Sequence, residues 1–398
     1  MNDKKTLIIL YSVVFCVATG LSIIIPALSL YAREFGATNF MIGGLIAGFG
    51  LARVFVNLPA GIFADRYDQK QLMQFGLAIV IISSLIAAFA PSYSILLFCR
   101  IVEGIGSAFY MVSASTLLNS IVPISKRGRA MSYYTSAILF GVIIGPSLGG
   151  ILVPLYGKGS PFIFYSLITF VGFIITRYFI TSTIKISTNK PRFSLSYFKN
   201  RSLLLVSLST FAFAFSWTGL ELTVIPLFAY DNLQLSPQLL GLIISIAAAS
   251  NLVSTLFAGR LTDKFGRKKP ILLSLFCTAI VAYCLSLSYS FYSLLFFMSL
   301  FGLSSGLWGQ TQAWTADLSD KKHLGSFLGF NRTMGDLGFV IGPIVLGYLA
   351  SSYSISTISL LPFYFDSFVL IIIAIAVAFA KDPAANLNNK FKKTKSKF

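Results

Sequence analysis

Long apolar runs separated by short polar gaps dominate the pattern of this chain. A helix needs about 20 mostly apolar residues to cross the hydrocarbon core of a bilayer. Windows of that kind recur at 6–31, 40–62, 71–91, 93–118, 130–154, 161–182, 203–230, 237–258, 270–289, 291–316, 325–350 and 361–380. They predict twelve transmembrane helices. The first run is longer than the apolar core of a secretory leader, about 7–15 residues, so it reads as a first span. The gaps are short except at 183–202, which carries Lys185, Lys190, Pro191, Arg192, Lys199 and Arg201. The predicted organisation is a six-helix bundle at 1–182, a cytoplasmic linker at 183–202, a second six-helix bundle at 203–381 and a lysine-rich cytoplasmic tail at 382–398.

The two halves repeat each other. Pro26, Gly44, Gly61 and Asp65 find Pro226, Gly241, Gly259 and Asp263, Gly104 finds Gly302, and Gly145-Pro146 find Gly342-Pro343. The offset stays at about 200 residues, as a duplicated unit would give. The expected fold is an all-α membrane protein: twelve transmembrane helices in two six-helix bundles related by internal duplication, with a path between them.

Composition agrees with lipid exposure. The 398 residues are 56% hydrophobic and 11% charged, against roughly 25% charged in soluble domains. A net charge of +18 raises the question of nucleic acid. The basic residues are scattered in the gaps between spans and share no face, which is the pattern of cytoplasmic loops and argues against nucleic acid. With the N-terminus inside, only Arg33 and Lys158 fall on the outer side, so both termini are expected in the cytoplasm.

Two loops carry the most specific signal. One reads Gly61-Ile62-Phe63-Ala64-Asp65-Arg66-Tyr67-Asp68-Gln69-Lys70, the other Gly259-Arg260-Leu261-Thr262-Asp263-Lys264-Phe265-Gly266-Arg267-Lys268-Lys269. Both resemble the G-x-L-a-D-r-x-G-r-k signature of the major facilitator superfamily, and the likeness covers essentially the whole chain. The resemblance implies that Gly61, Asp65, Arg66, Gly259, Asp263, Gly266 and Arg267 form conformational latch loops. In the first copy Asp68 and Gln69 replace the usual glycine and arginine, which puts that arginine's ion pair in doubt there.

Span 5 places Gly141, Gly145 and Gly149 four apart on one helix face, with Pro146 beside them. That face permits close helix packing. It is also similar to the g-x-x-x-G-P-x-x-G-G motif of the superfamily's drug/proton antiporter branch. The run Arg100-Ile101-Val102-Glu103-Gly104-Ile105-Gly106 resembles the R-x-x-x-G-x-G element of the same branch, which implies a part for Arg100 in proton coupling. Glu103 stands where that pattern often has glutamine.

Charges inside a bilayer cost roughly 2.5–3.5 kcal/mol each at a span's centre, so they face partners or a cavity. Arg100 and Glu103 are three residues apart, and Arg332 and Asp336 four, so each pair shares a helix face. Glu221 has no basic residue at helical spacing. The expected proton-coupling set is Glu103, Asp336, Glu221, Arg100 and Arg332. Asp366 and Arg177 lie nearer span ends, where they could snorkel or reach an interface. Arg53, Asn57, Trp217, Asn251, Trp308, Gln310, Gln312 and Trp314 are the expected cavity residues, because apolar walls with a few fixed polar groups suit amphipathic solutes.

These readings point to a secondary transporter in the cell membrane, not an enzyme. It would couple protons to efflux of small hydrophobic or amphipathic compounds by alternating access. The alternative is a proton symporter importing a sugar, organic acid or other metabolite. The expected partners are membrane lipid, a small-molecule substrate and protons, with no nucleic acid, and the expected state is a monomer. No cofactor or metal is expected: no G-x-x-x-x-G-K-[ST] loop occurs.

Overall fold

The computed structural model describes residues 3–123, 127–180, 200–319, 324–351 and 358–380. Most of the 183–202 linker and the whole 382–398 tail lie outside the described residues. The described residues form helices α1 (Asp3–Ile23), α2 (Ile25–Glu34), α3 (Asn39–Arg66), α4 (Gln69–Ala88), α5 (Tyr93–Ile121), α6 (Arg127–Tyr156) and α7 (Ser160–Phe179). They continue as α8 (Arg201–Ser216), a π-helical stretch (Trp217–Val224), α9 (Ile225–Asp231), α10 (Pro237–Phe265) and α11 (Lys268–Leu285). The last four are α12 (Phe291–Ser305), α13 (Gln310–Leu318), α14 (Leu324–Ala350) and α15 (Leu361–Val377). Among the described residues, eleven helical stretches are long and apolar enough to span a bilayer, and Leu361–Val377 is a shorter apolar helix. Three spans are composite: α1 with α2, α8 through α9, and α12 with α13.

The helix starts follow from their capping residues. Thr38, Asp68, Ser92 and Asn200 each accept a hydrogen bond from a backbone N–H of the first turn, and Ser290 forms a reciprocal capping box with Ser293. Pro26, Pro161 and Pro362 sit in first turns, where no N–H bond is lost. The outward faces carry Phe55, Leu58, Tyr178 and Leu256, as expected of helices that face lipid.

Contacts divide the chain into two compact units: residues 1–189 with 225–245, and residues 190–224 with 246–398. In the first unit α6 lies directly on α1. A Cβ at Gly149 would come within 1.9 Å of Ile23 O, and one at Gly145 within 2.7 Å of Thr19 O, so this stripe admits no side chain. The second unit builds the corresponding contact from α14 on α8, where Gly342 meets Phe215 O. Duplication is also visible at Gly104 against Phe49 O and at Gly302 against Ala247 O, the same close approach at matching positions.

The first unit includes 225–245, a segment from the second half of the sequence. Arg33 pairs with the carboxylate of Asp231 through both terminal guanidinium nitrogens, and its Nη2 donates to Asn39 Oδ1 at 3.1 Å. The Tyr230 hydroxyl donates to Pro26 O, and Ser147 Oγ donates to Ser245 Oγ at 2.8 Å. Lys158 pairs with Glu34 at 2.8 Å. Both basic residues that the sequence pattern sets apart from the others are therefore matched by an acid.

Candidate functional site

The first unit encloses one acid completely. Glu103 on α5 is 0% exposed. Arg100, one turn earlier, donates from Nη1 to Glu103 Oε2, and the Ser84 hydroxyl on α4 donates to Oε1 at 2.7 Å. Spacing along α5 supplies the arginine, and the packing of α4 on α5 supplies the serine. The guanidinium carbon of Arg100 also lies 4.8 Å from the centroid of the Phe49 ring, and that of half-buried Arg53 lies 5.9 Å from it. The Phe49 ring thus meets two cations, of which Arg100 is the one paired with Glu103. Tyr165 stands close to both charges and to Gly20, and its hydroxyl has no hydrogen-bond partner. Asn57 is half-buried one turn beyond Arg53 on α3.

The second unit arranges its polar groups differently. Glu221 is buried within the π-helical stretch, and the Trp217 side chain donates a hydrogen bond to it. π-helical turns inside α-helices are rare and often sit at functional sites. The Trp217 ring lies 5.6 Å from that of Trp308 and 6.1 Å from that of Phe339, centroid to centroid. This aromatic group joins the π-helical stretch, the segment after α12 and helix α14. Asn251 on α10 donates to Ser305 Oγ at 3.0 Å. Deeper in the unit, the Thr210 hydroxyl lies 2.8 Å from Thr311 Oγ1 and 2.7 Å from Asn331 Oδ1.

Several expected residues occupy other places. Arg332 is exposed and Asp336 half-buried on α14. Trp314 is 0% exposed. Gln312 is exposed. Gln310 accepts from Thr262 at 3.1 Å and so belongs with the second copy of the loop motif. Asp366 departs most from expectation. It does not reach an interface but is 0% exposed, with Oδ2 accepting from the Ser216 hydroxyl at 2.6 Å. Ser84 and Ser216 were not singled out in the sequence, because the pairings cross between helices and leave no local pattern.

The two copies of the loop motif differ in chemistry. In the second, Gly266 takes a positive φ of 80°, which favours glycine. Arg267 then donates to Thr262 Oγ1 at 2.8 Å and pairs with Asp317 at 3.0 Å. In the first, Asp68 holds an ordinary φ of −63° and caps α4, while Gln69 donates to Ala64 O at 2.8 Å. Asn119 stands at the position matching Asp317. A charged pair in one copy thus corresponds to two neutral amides in the other. The side chains of Asp65 and Asp263 lie outside the described residues.

The sequence matches the Major Facilitator Superfamily over residues 10–230 and 206–398. The chain belongs to the Major Facilitator Superfamily. The two matches overlap at residues 206–230. Multidrug resistance protein 2 of Bacillus subtilis is 29% identical over 389 residues, covering 94% of each chain. Quinolone resistance protein NorA of Staphylococcus aureus is 23% identical over 357 residues, covering 87% of this chain and 90% of NorA. Among solved structures, a bacterial homologue of the human lysosomal transporter Spinster, inward-facing and occupied, shares the fold with a TM-score of 0.76. It is 14% identical and covers 94% of this chain and 95% of its own. The nucleoside transporter NupG gives 0.74 at 15% identity, covering 95% of this chain and 99% of its own. This superfamily member is a multi-pass membrane transporter and not an enzyme. Its relatives include a multidrug resistance protein and a quinolone resistance protein.

Proposed function

We propose that the chain is a proton-coupled antiporter that exports small hydrophobic or amphipathic compounds across the cell membrane by alternating access. The observation that carries this reading is the enclosed Glu103 beside Arg100 and Ser84. A buried carboxylate tolerates its charge only while the arginine is close, and protonation releases the arginine from the pair. An acid poised in this way links proton binding to a change in packing. Glu221, held by Trp217 next to the Trp217–Trp308–Phe339 aromatic group, brings a second acid to apolar walls suited to such solutes.

In the proposed orientation both termini are cytoplasmic and the Arg33–Asp231 clasp lies on the outer side. Alternating access requires that clasp to release, together with the Tyr230–Pro26 and Ser147–Ser245 contacts. The proton gradient supplies enough energy, since each charge moved down 100 mV yields about 2.3 kcal/mol. The names of the relatives, multidrug resistance and quinolone resistance, support export and this solute class. The transporter acts as a monomer.

Purified protein in weakly buffered detergent tests the reading. Adding members of a lipophilic-cation and quinolone panel should release protons, and Glu103→Gln should abolish that release. Unchanged release in each of Glu103→Gln, Glu221→Gln and Asp336→Asn would overturn the site. Uptake of a metabolite by intact cells under an inward proton gradient would overturn the direction.

A further inference from the structure

We infer that Asp366 is a proton-binding site linked through Ser216 to the π-helical stretch that carries Glu221. The inference rests on the proton-coupled reading above and adds an acid that the reading does not use.

The geometry begins with α15, which packs on α8, α11, α14 and the π-helical stretch. Asp366 is fully enclosed there. Its Oδ2 accepts from Ser216, and its Oδ1 has no hydrogen-bond partner. The charged and titratable groups on the packed elements stand elsewhere. Arg201 is at the far end of α8, and Lys268 donates to Ala380 O at the far end of α15, about 21 Å along the helix from Asp366. On α11, Tyr283 meets Tyr364 in a tilted ring contact with centroids 5.5 Å apart, and Lys269, Cys277 and Cys284 complete its titratable set. Arg332, Asp336 and Tyr348 stand on α14, and Glu221 is held by Trp217. None of these groups forms an ion pair or hydrogen bond with Asp366 among the described residues.

An enclosed carboxylate with one hydroxyl donor and no cation is a costly charge. A single proton on Oδ1, the oxygen without a partner, removes that charge and makes no other bond. Ser216 is the last residue of α8 before the π-helical stretch begins. A π turn holds more residues than an α turn. Converting the stretch to α-helix therefore rotates Glu221 and everything after it relative to Ser216. The charge on Asp366 acts on the residue from which that rotation starts.

The test is infrared spectroscopy of the reconstituted full chain during a pH titration, alongside proton-driven transport. The wild type should show a protonated-carboxyl band that titrates. Asp366→Asn should lose a component of that band, Glu221→Gln should keep that component, and Ser216→Ala should move its midpoint. A titrating band unchanged in Asp366→Asn overturns the inference. Should Asp366→Asn not fold, an unmoved midpoint in Ser216→Ala overturns it. Wild-type protein that shows the Asp366 component but no proton-driven transport overturns the proposed function and leaves the proton site standing. Proton-driven transport with no Asp366 component overturns the proton site alone.

Discussion

The two compact units bury their acids by different means. Glu103 in the first has an arginine one turn away and a serine across the helix interface, so both carboxylate oxygens are occupied. Asp366 in the second has one serine and a vacant oxygen. The first arrangement fixes a charge and its counter-charge together. The second leaves the proton as the available means of neutralising the acid. A duplicated fold has thus kept its helix packing, as at Gly104 and Gly302, while its polar interior diverged.

Breaking the first arrangement should have the largest effect. Arg100→Met leaves Glu103 enclosed without its cation and should cost about 3–5 kcal/mol of stability, read as unfolding in detergent. The double variant Arg100→Met, Glu103→Met should recover most of that loss yet not recover proton-driven transport. A double variant as unstable as the single would show that packing, not charge, sets the cost.

The serines sharpen the contrast. Ser84→Ala removes a donor to a carboxylate and should cost about 1.5–3 kcal/mol, while Ser216→Ala should cost about 1 kcal/mol. The same unfolding measurement compares them. A larger loss at Ser216 than at Ser84 would mean that Asp366 is held as a charge.

The latch loops give the smallest effect. Arg267 and Asp317 are partly exposed, so Arg267→Gln, which copies the first loop, should change stability by about 1 kcal/mol or less. Transport rate is the more sensitive readout there. Equal rates in Arg267→Gln and wild type would show that a neutral loop latches as well as a charged one.

The sequence made the spans legible because a bilayer demands uninterrupted apolar helices, and that demand is local. The Arg100–Glu103 pair was legible for the same reason, since three residues along a helix bring side chains together. Ser84 and Ser216 were not, because an isolated serine in an apolar run has no spacing to reveal a partner on another helix. Asp366 was misplaced by counting residues from the end of its span. Enclosure depends on neighbouring helices, and α8, α11 and α14 pack on α15. Gln310 and Trp314 were judged by residue type alone. Their places in the latch cluster and in the packed interior follow from tertiary contacts.

The central claim is that proton coupling runs through Glu103. Inside-out vesicles holding wild-type or Glu103→Gln protein test it most directly, with a fluorescent lipophilic cation followed under an imposed pH gradient and, separately, in exchange without one. The account predicts that Glu103→Gln keeps exchange and loses gradient-driven accumulation. Accumulation at the wild-type level in Glu103→Gln would contradict it.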